Sequence, residues 1–482
     1  MKSCVPRVAV PLLLASTVLL FAAPAGAMRT AGDRPVGPPA PLPVLAGHTT
    51  SVSSTHLLLK SMKVPSFSRQ TGLACGACHF QFPQLTPFGR LFKLNGYTMT
   101  GLKTVQAGGD STRQTLALSP IPGLSGMLVS SLSHVAKTPS GTQNGGAMLP
   151  QEASVFLAGA ISPKIGAFLQ YTYGGSEGTF GIDNIDVRFA SRTQLASKDL
   201  IYGMTLNNNP TVQDVWNTVP AWGWPFMQSE QTPGSIAMPV LAGQFGQNVL
   251  GLGAYGLWNQ TLYGEVSLYR TALQGTGLPL GDSASGVLER VAPYWRVAVQ
   301  RDVGTGHFTI GTYGIDAHVF GQGVSGLADQ YTDYAGDAQY ESHVTGDRAL
   351  IVRASVIRER RNLSAAFDAH SAESLHQNLT TFQARATFEP AVTSGLSVGV
   401  FSTTGTRDGT LYAPADVTGS ANGKPETSGF MGEFVLNPWQ NTRFGLQYTA
   451  FTKFNGAGTN YDGSGRRARD NNTLYLYTWL VF

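Results

Sequence analysis

From about residue 120 to Phe482 the chain alternates apolar and polar residues with period two, and no run of 18 or more apolar residues interrupts it. A strand sends successive side chains to opposite faces, so this pattern is a succession of β-strands, each with one apolar face. Across 165–173 the odd positions are all apolar. Across 442–450, Phe444, Leu446, Tyr448 and Ala450 share one face, while Arg443, Gln447 and Thr449 take the other. Asp186 and Arg188 alternate with Ile185, Val187 and Phe189, and Arg353 stands between Val352 and Ala354.

A soluble sandwich also alternates, but its polar face is its outside and is rich in Lys and Glu. Here charged residues make up only 13% of the chain, Gly reaches 57 residues and aromatics 10%. Ordinary soluble domains carry about 25% charge. With no apolar helix, this composition is that of a transmembrane β-barrel. The 33 Lys and Arg nearly balance the 29 Asp and Glu, which excludes a nucleic-acid binder on charge grounds.

Turn signals order the strands. Tight connections fall at 162–164, 259–260, 302–306, 345–347 and 437–440; longer polar loops lie near 138–150, 208–247, 273–290, 319–330, 405–427 and 453–471. Short turns at one end and long loops at the other are the periplasmic and extracellular sides of an outer-membrane barrel. The spacing predicts an all-β antiparallel barrel of about sixteen strands over 119–482, with both ends periplasmic. The closing segment 474–482 is apolar on both faces, so the pattern does not say which face meets lipid.

Upstream of the strands, Lys2 and Arg7, the apolar run 8–23 and Ala25-Gly26-Ala27 read as a secretory signal peptide spanning 1–27. Residues 28–60, rich in Pro, Gly and Ser, read as a linker. Residues 61–118 hold short helices: Thr86-Pro87 is a start signal and Asn95-Gly96 a stop, with Phe88, Leu91 and Phe92 spaced as one apolar face.

That segment contains Cys75-Gly76-Ala77-Cys78-His79, and the only other cysteine, Cys4, lies in the leader. C-x-x-C-H is the attachment signature of haem c: two thiols one helical turn apart form thioethers, and the adjacent histidine becomes the proximal iron ligand. A zinc site would want a second Cys/His pair at ligand spacing, and a thioredoxin-like pair has no need of the histidine. The expected cofactor is therefore one covalent haem c on Cys75, Cys78 and His79. Phe88 and Phe92 are candidates to pack against it. Met99 is the first candidate for the sixth ligand, with Met62 and His56 as others. A plug of this size needs support, and a barrel of about sixteen strands can enclose it. Asp186, Arg188, Arg353, Glu359 and Arg443 either hold the plug or simply solvate the lumen. His134, His307, His318, His343, His370 and His376 read as loop or lumen residues, and Asp408, Asp462 and Asp470 as solvated loop acids.

The stretch 65–72, the C-x-x-C-H, Phe80-Gln81 and 86–90 resemble the fused monohaem cytochrome–porins of bacterial outer membranes, several of which are extracellular Fe(II) oxidases. The resemblance continues through 207–214, 411–415 and 448–455 to the end of the chain. It implies an oxidoreductase of the Fe(II):cytochrome c type. Electrons would enter at the cell surface and pass through Cys75, Cys78 and His79 to a periplasmic c-type cytochrome or other carrier. Two other functions stand beside it: a porin whose haem plug is structural or gating, and a conduit exporting electrons to an external acceptor. No residue encodes the direction of flow.

Overall fold

The computed structural model describes residues 66–80, 83–99, 105–106, 117–118, 123–272, 286–345, 348–439 and 441–482. The expected leader and linker, with Met62 and His56, lie outside the described residues. Three short helices come first: α1 (Ser66–Thr71), α2 (Cys75–Cys78) and α3 (Pro87–Leu94). The two-residue strands β1 (Val105–Gln106) and β2 (Ala117–Leu118) then pair with each other.

Sixteen strands follow and close on themselves. The first eight are β3 (Leu124–Val135), β4 (Ala147–Ser162), β5 (Ile165–Gly174), β6 (Thr179–Leu195), β7 (Lys198–Asn207), β8 (Val249–Trp258), β9 (Leu262–Thr271) and β10 (Ala292–Val303). The second eight are β11 (Gly306–Phe320), β12 (Ala328–Thr345), β13 (Arg348–Asn362), β14 (His376–Ala391), β15 (Ser394–Gly405), β16 (Thr427–Trp439), β17 (Thr442–Lys453) and β18 (Thr473–Val481). Every neighbour pair is antiparallel, and β18 seals against β3 from Thr473 opposite Val135 to Val481 opposite Met127. The expected strand count is met.

Connections alternate as the pattern predicted. Tight turns follow every even-numbered strand from β4 to β16, and the longer connections follow the odd-numbered strands. Two tight turns lacked a sequence signal, Ala196-Ser197 and Val392-Thr393. Ala196 and Ser197 hold φ of 51° and 60°, the mirror-image turn geometry that suits strand twist, without the usual glycine or asparagine. By the asymmetry of such barrels the tight-turn end is periplasmic.

Burial is inverted relative to a soluble domain. Along β18, Leu474, Leu476 and Leu480 face outward, whereas Tyr475, Tyr477 and Trp479 are at most 2% exposed. The leucine face therefore meets lipid, which the sequence pattern left undecided. On β17, Arg443, Gln447 and Thr449 turn inward while Phe444, Leu446 and Tyr448 turn outward. Val352, Val398, Val400 and Phe434 extend the outer apolar band. Exposed Leu, Val and Phe over buried Arg, Gln and Glu is the arrangement a bilayer imposes on a closed sheet.

One expectation is corrected. Segment 208–247, read as a polar outer loop, is folded into the lumen and largely buried. Val212, Trp216, Phe226 and Met227 are all below 2% or at 2% exposure. The reason is its composition: Trp216, Trp222, Trp224 and Phe226 fall within eleven positions and would expose too much apolar surface outside. The lumen is therefore a packed interior, with Phe156, Phe168, Tyr475, Tyr477 and Trp479 of the wall meeting Trp222, Trp224 and Phe226 of the segment.

Candidate functional site

α2 is one turn long, so Cys75 and Cys78 lie on the same side of it. His79 ends the helix in extended geometry, its N–H donating to Cys75 O at 2.8 Å. Residues 80–85 then double back. Leu85 pairs with His79 as an isolated bridge, and Thr86 N donates to Cys78 O at 2.9 Å. Thr86 is the expected N-cap of α3, accepting from Gly89 N at 3.1 Å while its hydroxyl donates to Ala77 O at 2.6 Å. One side chain thus ties α3 to α2. At Gly89 the helices touch: a Cβ there would lie 2.1 Å from Cys78 O. Asn95 closes α3, and Gly96, at φ of 70°, turns the chain as the stop signal predicted.

A cavity of about 980 Å³, partly continuous with solvent, opens between the plug and the wall. Cys75, Cys78 and His79 all line it. The plug contributes Phe67, Phe92 and Tyr97; β4 and β5 contribute Phe156 and Phe168; the inward segment contributes Trp222. Phe67 stacks on Tyr97 at 5.3 Å and meets the edge of Phe92 at 5.2 Å, so the aromatic side is a packed unit. Ser125, Ala158 and Phe168 place the cavity in the periplasmic half of the barrel.

The chemistry of these groups can be tested against haem c. Cys75 and Cys78 are both unbridged. Burial pushes the Cys78 thiol up to about 12, opposite to the lowered pKa of a redox-active dithiol. Among the described residues no three His, Cys, Asp or Glu converge as a metal site. Two thiols and a histidine beside an aromatic-walled cavity fit a covalently tethered flat apolar group. Cys75, Cys78 and His79 would hold it.

Of the packing candidates, Phe92 lines the cavity, while Phe88 is half-buried and does not. Leu91, expected on the same face, packs instead toward Leu94, Trp216 and Tyr255. The single-face expectation is corrected because α3 is surrounded, with barrel wall or inward segment on several sides. Met99 packs against the cluster containing Phe92 and Tyr97 and is not part of the cavity lining. Nor do His134, His307, His318, His370 or His376 line it.

Three of the five lumen candidates hold the plug. Tyr97 Oη donates to Asp186 Oδ2 at 2.6 Å, and Arg188 pairs with Asp186 at 2.8 Å. Arg353 Nη1 donates to Gln84 Oε1 at 2.6 Å. Glu359 instead accepts from Val240 N at 2.6 Å, fastening the inward segment, and Arg443 lies over the Trp479 ring at 5.2 Å. Sequence reasoning missed Glu341, which takes a forked bond from Arg90 at 2.9 Å and pairs with Arg353 at 3.0 Å.

Lys93 was missed as well. Its ammonium donates to Val212 O at 2.6 Å and Asp214 O at 2.8 Å, lies 4.7 Å from the Trp222 ring, and lines the cavity. Burial, then the Arg188 charge, pulls it down to about 7. On a short amphipathic helix a lysine reads as solvated; only the enclosing barrel reverses that. The loop acids are also corrected. Asp408 and Asp462 are buried, and each gathers several backbone N–H groups, among them Glu373 and Leu411 for Asp408 and Ser464 and Arg466 for Asp462. Asp470 accepts from Arg467 N at 3.0 Å. They are loop staples.

No family model and no curated protein matches the chain. Among solved structures it is similar to in-vitro folded OmpT, an outer membrane protein of Vibrio cholerae, at 10% identity and TM-score 0.40, covering 74% of this chain and 96% of that one. It is similar to an anion-selective porin from Comamonas acidovorans at 11% identity and TM-score 0.43, covering 74% and 98%. It is also similar to the outer membrane channel DcaP of Acinetobacter baumannii at 10% identity and TM-score 0.41, covering 74% and 96%. Likenesses this distant carry no functional inference.

Proposed function

We propose that this chain is an outer-membrane electron conduit. It carries one haem c on Cys75, Cys78 and His79 and passes electrons from an extracellular reductant, Fe(II) first, to a periplasmic c-type cytochrome or other carrier. The observation that carries the reading is that both thiols and the histidine line one aromatic-walled cavity inside a closed barrel. The haem would supply a single reversible one-electron couple in a sheet that otherwise insulates the two sides.

The protein's own residues do the remaining work. Phe67, Phe92, Tyr97, Phe156, Phe168 and Trp222 exclude water, which limits solvent reorganisation when charge changes. Asp186, Arg353 and Glu341 anchor the plug so that the cavity keeps its place between the mouths. Lys93 puts a titratable cation on the cavity wall, favouring the reduced form when protonated. Fe(II) as donor follows the family resemblance of the motifs. The outer membrane follows from the outward apolar band.

The test is a redox-poised optical titration of the purified full chain with a haem stain of the denatured product. A covalent stain, a positive midpoint potential and rapid reduction by Fe(II) are expected. A blank stain, or a strongly negative potential without Fe(II) reduction, would overturn the proposal. His79→Ala should abolish electron transfer into liposomes while the barrel stays heat-modifiable on gels.

A further inference from the structure

We propose that the outer face of β13, at its extracellular end, is a docking patch for the phosphorylated headgroup of an outer-leaflet lipid, held by Arg358 and Arg360. The proposal rests on the barrel and not on the haem reading. Along β13, Arg353, Ile357, Glu359 and Arg361 are buried toward the lumen, while Val352, Val356, Arg358 and Arg360 are exposed outside. Strand alternation therefore carries two arginines onto the lipid-facing side.

The strand also fixes their height. Arg348, outward as well, opens β13 beside the tight turn. From Arg348 to Arg358 the strand advances about 34 Å, which a tilt of about 40° reduces to about 26 Å along the membrane normal. The apolar band of such barrels is about as tall, so these two arginines mark its borders. Arg360 stands about 5 Å higher, level with the headgroups. Below the pair, Val352, Val356 and Phe382 offer acyl chains an apolar wall. Tyr334 is directly opposite Arg358 in register, and the Arg360 guanidinium lies 5.6 Å from its ring. Thr332 and Asn378 flank Arg360, and Thr380 flanks Arg358, so the immediate neighbours across the strands are neutral.

Inward-facing Arg361 is paired with Glu359, but Arg358 and Arg360 have no ion-pair partner among the described residues. The acid in the same row, Asp316, lies opposite Thr332, one strand further from Arg360. It accepts from Thr332 at 2.7 Å and Gln330 at 2.9 Å and pairs with Arg290 at 3.7 Å. A guanidinium fork matches the paired oxygens of a phosphate. Residues two apart on one strand stand about 7 Å apart, so both long side chains reach one phosphate. A free anion would gain that contact alone, whereas a lipid also lays its chains along the valines. Charge and apolar wall together select the lipid.

Full-length protein in detergent would be titrated with fluorescent lipopolysaccharide and binding read as anisotropy. Saturable binding is expected, weakened at least about tenfold in Arg358→Gln/Arg360→Gln by the loss of two charge-assisted contacts. Both side chains are exposed, so heat-modifiable gel mobility should not change. Arg270→Gln, exposed near the extracellular end of β9, should bind as wild type does. The proposal is overturned if the double variant binds like wild type, if Arg270→Gln weakens binding equally, or if dephosphorylated lipopolysaccharide binds as tightly. Displacement of the probe by inorganic phosphate at the same concentration would overturn the lipid as occupant.

Discussion

At the scale of single residues, the plug depends on Gly89 and Lys93. Alanine at position 89 would gain about 1 kcal/mol of helix propensity. Its Cβ, however, would press on the Cys78 carbonyl, backbone that cannot yield without parting α2 from α3. Overpacking of this kind costs about 1–3 kcal/mol, so Gly89→Ala should sharply lower haem stain per barrel while heat-modifiable gel mobility persists. Lys93 gives a pH signature. Its folded pKa, pulled to about 7, lies below that of the unfolded chain, so the unfolded state binds the extra proton between them. Stability contributed at this site is absent below pH 7 and rises above it, by about 2–3 kcal/mol by pH 9. Denaturant midpoints measured from pH 7 to 9 should climb in wild type and flatten in Lys93→Met.

At the scale of elements, the connection between plug and wall is a shared ion pair. Glu341→Ala would strand Arg90 and Arg353 together in a buried site, and breaking a buried pair costs about 3–5 kcal/mol. Limited proteolysis should then cut residues 66–99 in a barrel that remains intact. On the lipid side, Leu476→Arg should cost about 2–4 kcal/mol near the bilayer midplane, measured by urea unfolding in lipid. Tyr477→Phe, losing one bond to Glu433, should cost about 1 kcal/mol. How far the sequence disclosed these elements follows from what is local. Period-two alternation is local, so strand number was legible. Thr86, Gly96 and the C-x-x-C-H turn are local, so α2 and α3 were legible too. Glu341, Lys93 and Asp214 acquire roles only when remote strands and the inward segment surround them, and no local pattern marks that. The face of β18 was undecided because its lumen side is tyrosine and tryptophan, apolar by composition yet inward by contact with Trp222 and Trp224.

For the molecule as a whole, the plug and segment 208–247 together fill the lumen. Wild-type protein in liposomes should therefore pass small sugars slowly. Shortening the segment between Asn209 and Gln247 should increase swelling rates at least about tenfold, the change expected when a filled barrel becomes an aqueous channel. Fast sugar uptake by wild type would instead indicate a working pore.

The burial of Cys75 also bears on the order of events proposed for this chain. Cys75 sits only 6% exposed, behind walls supplied by β4, β5 and the tryptophan-rich segment. An enzyme attaching the proposed haem would need to grip an open peptide to join a vinyl group to each thiol, and the finished cylinder offers it little grip. If haem c is the group proposed above, its tethering would come before closure, while the polypeptide is still extended between the two membranes. On that reading, a chain that reached the lipid first would hold both thiols behind its own walls, and cells lacking the attachment machinery should accumulate colourless barrels that added cofactor cannot rescue.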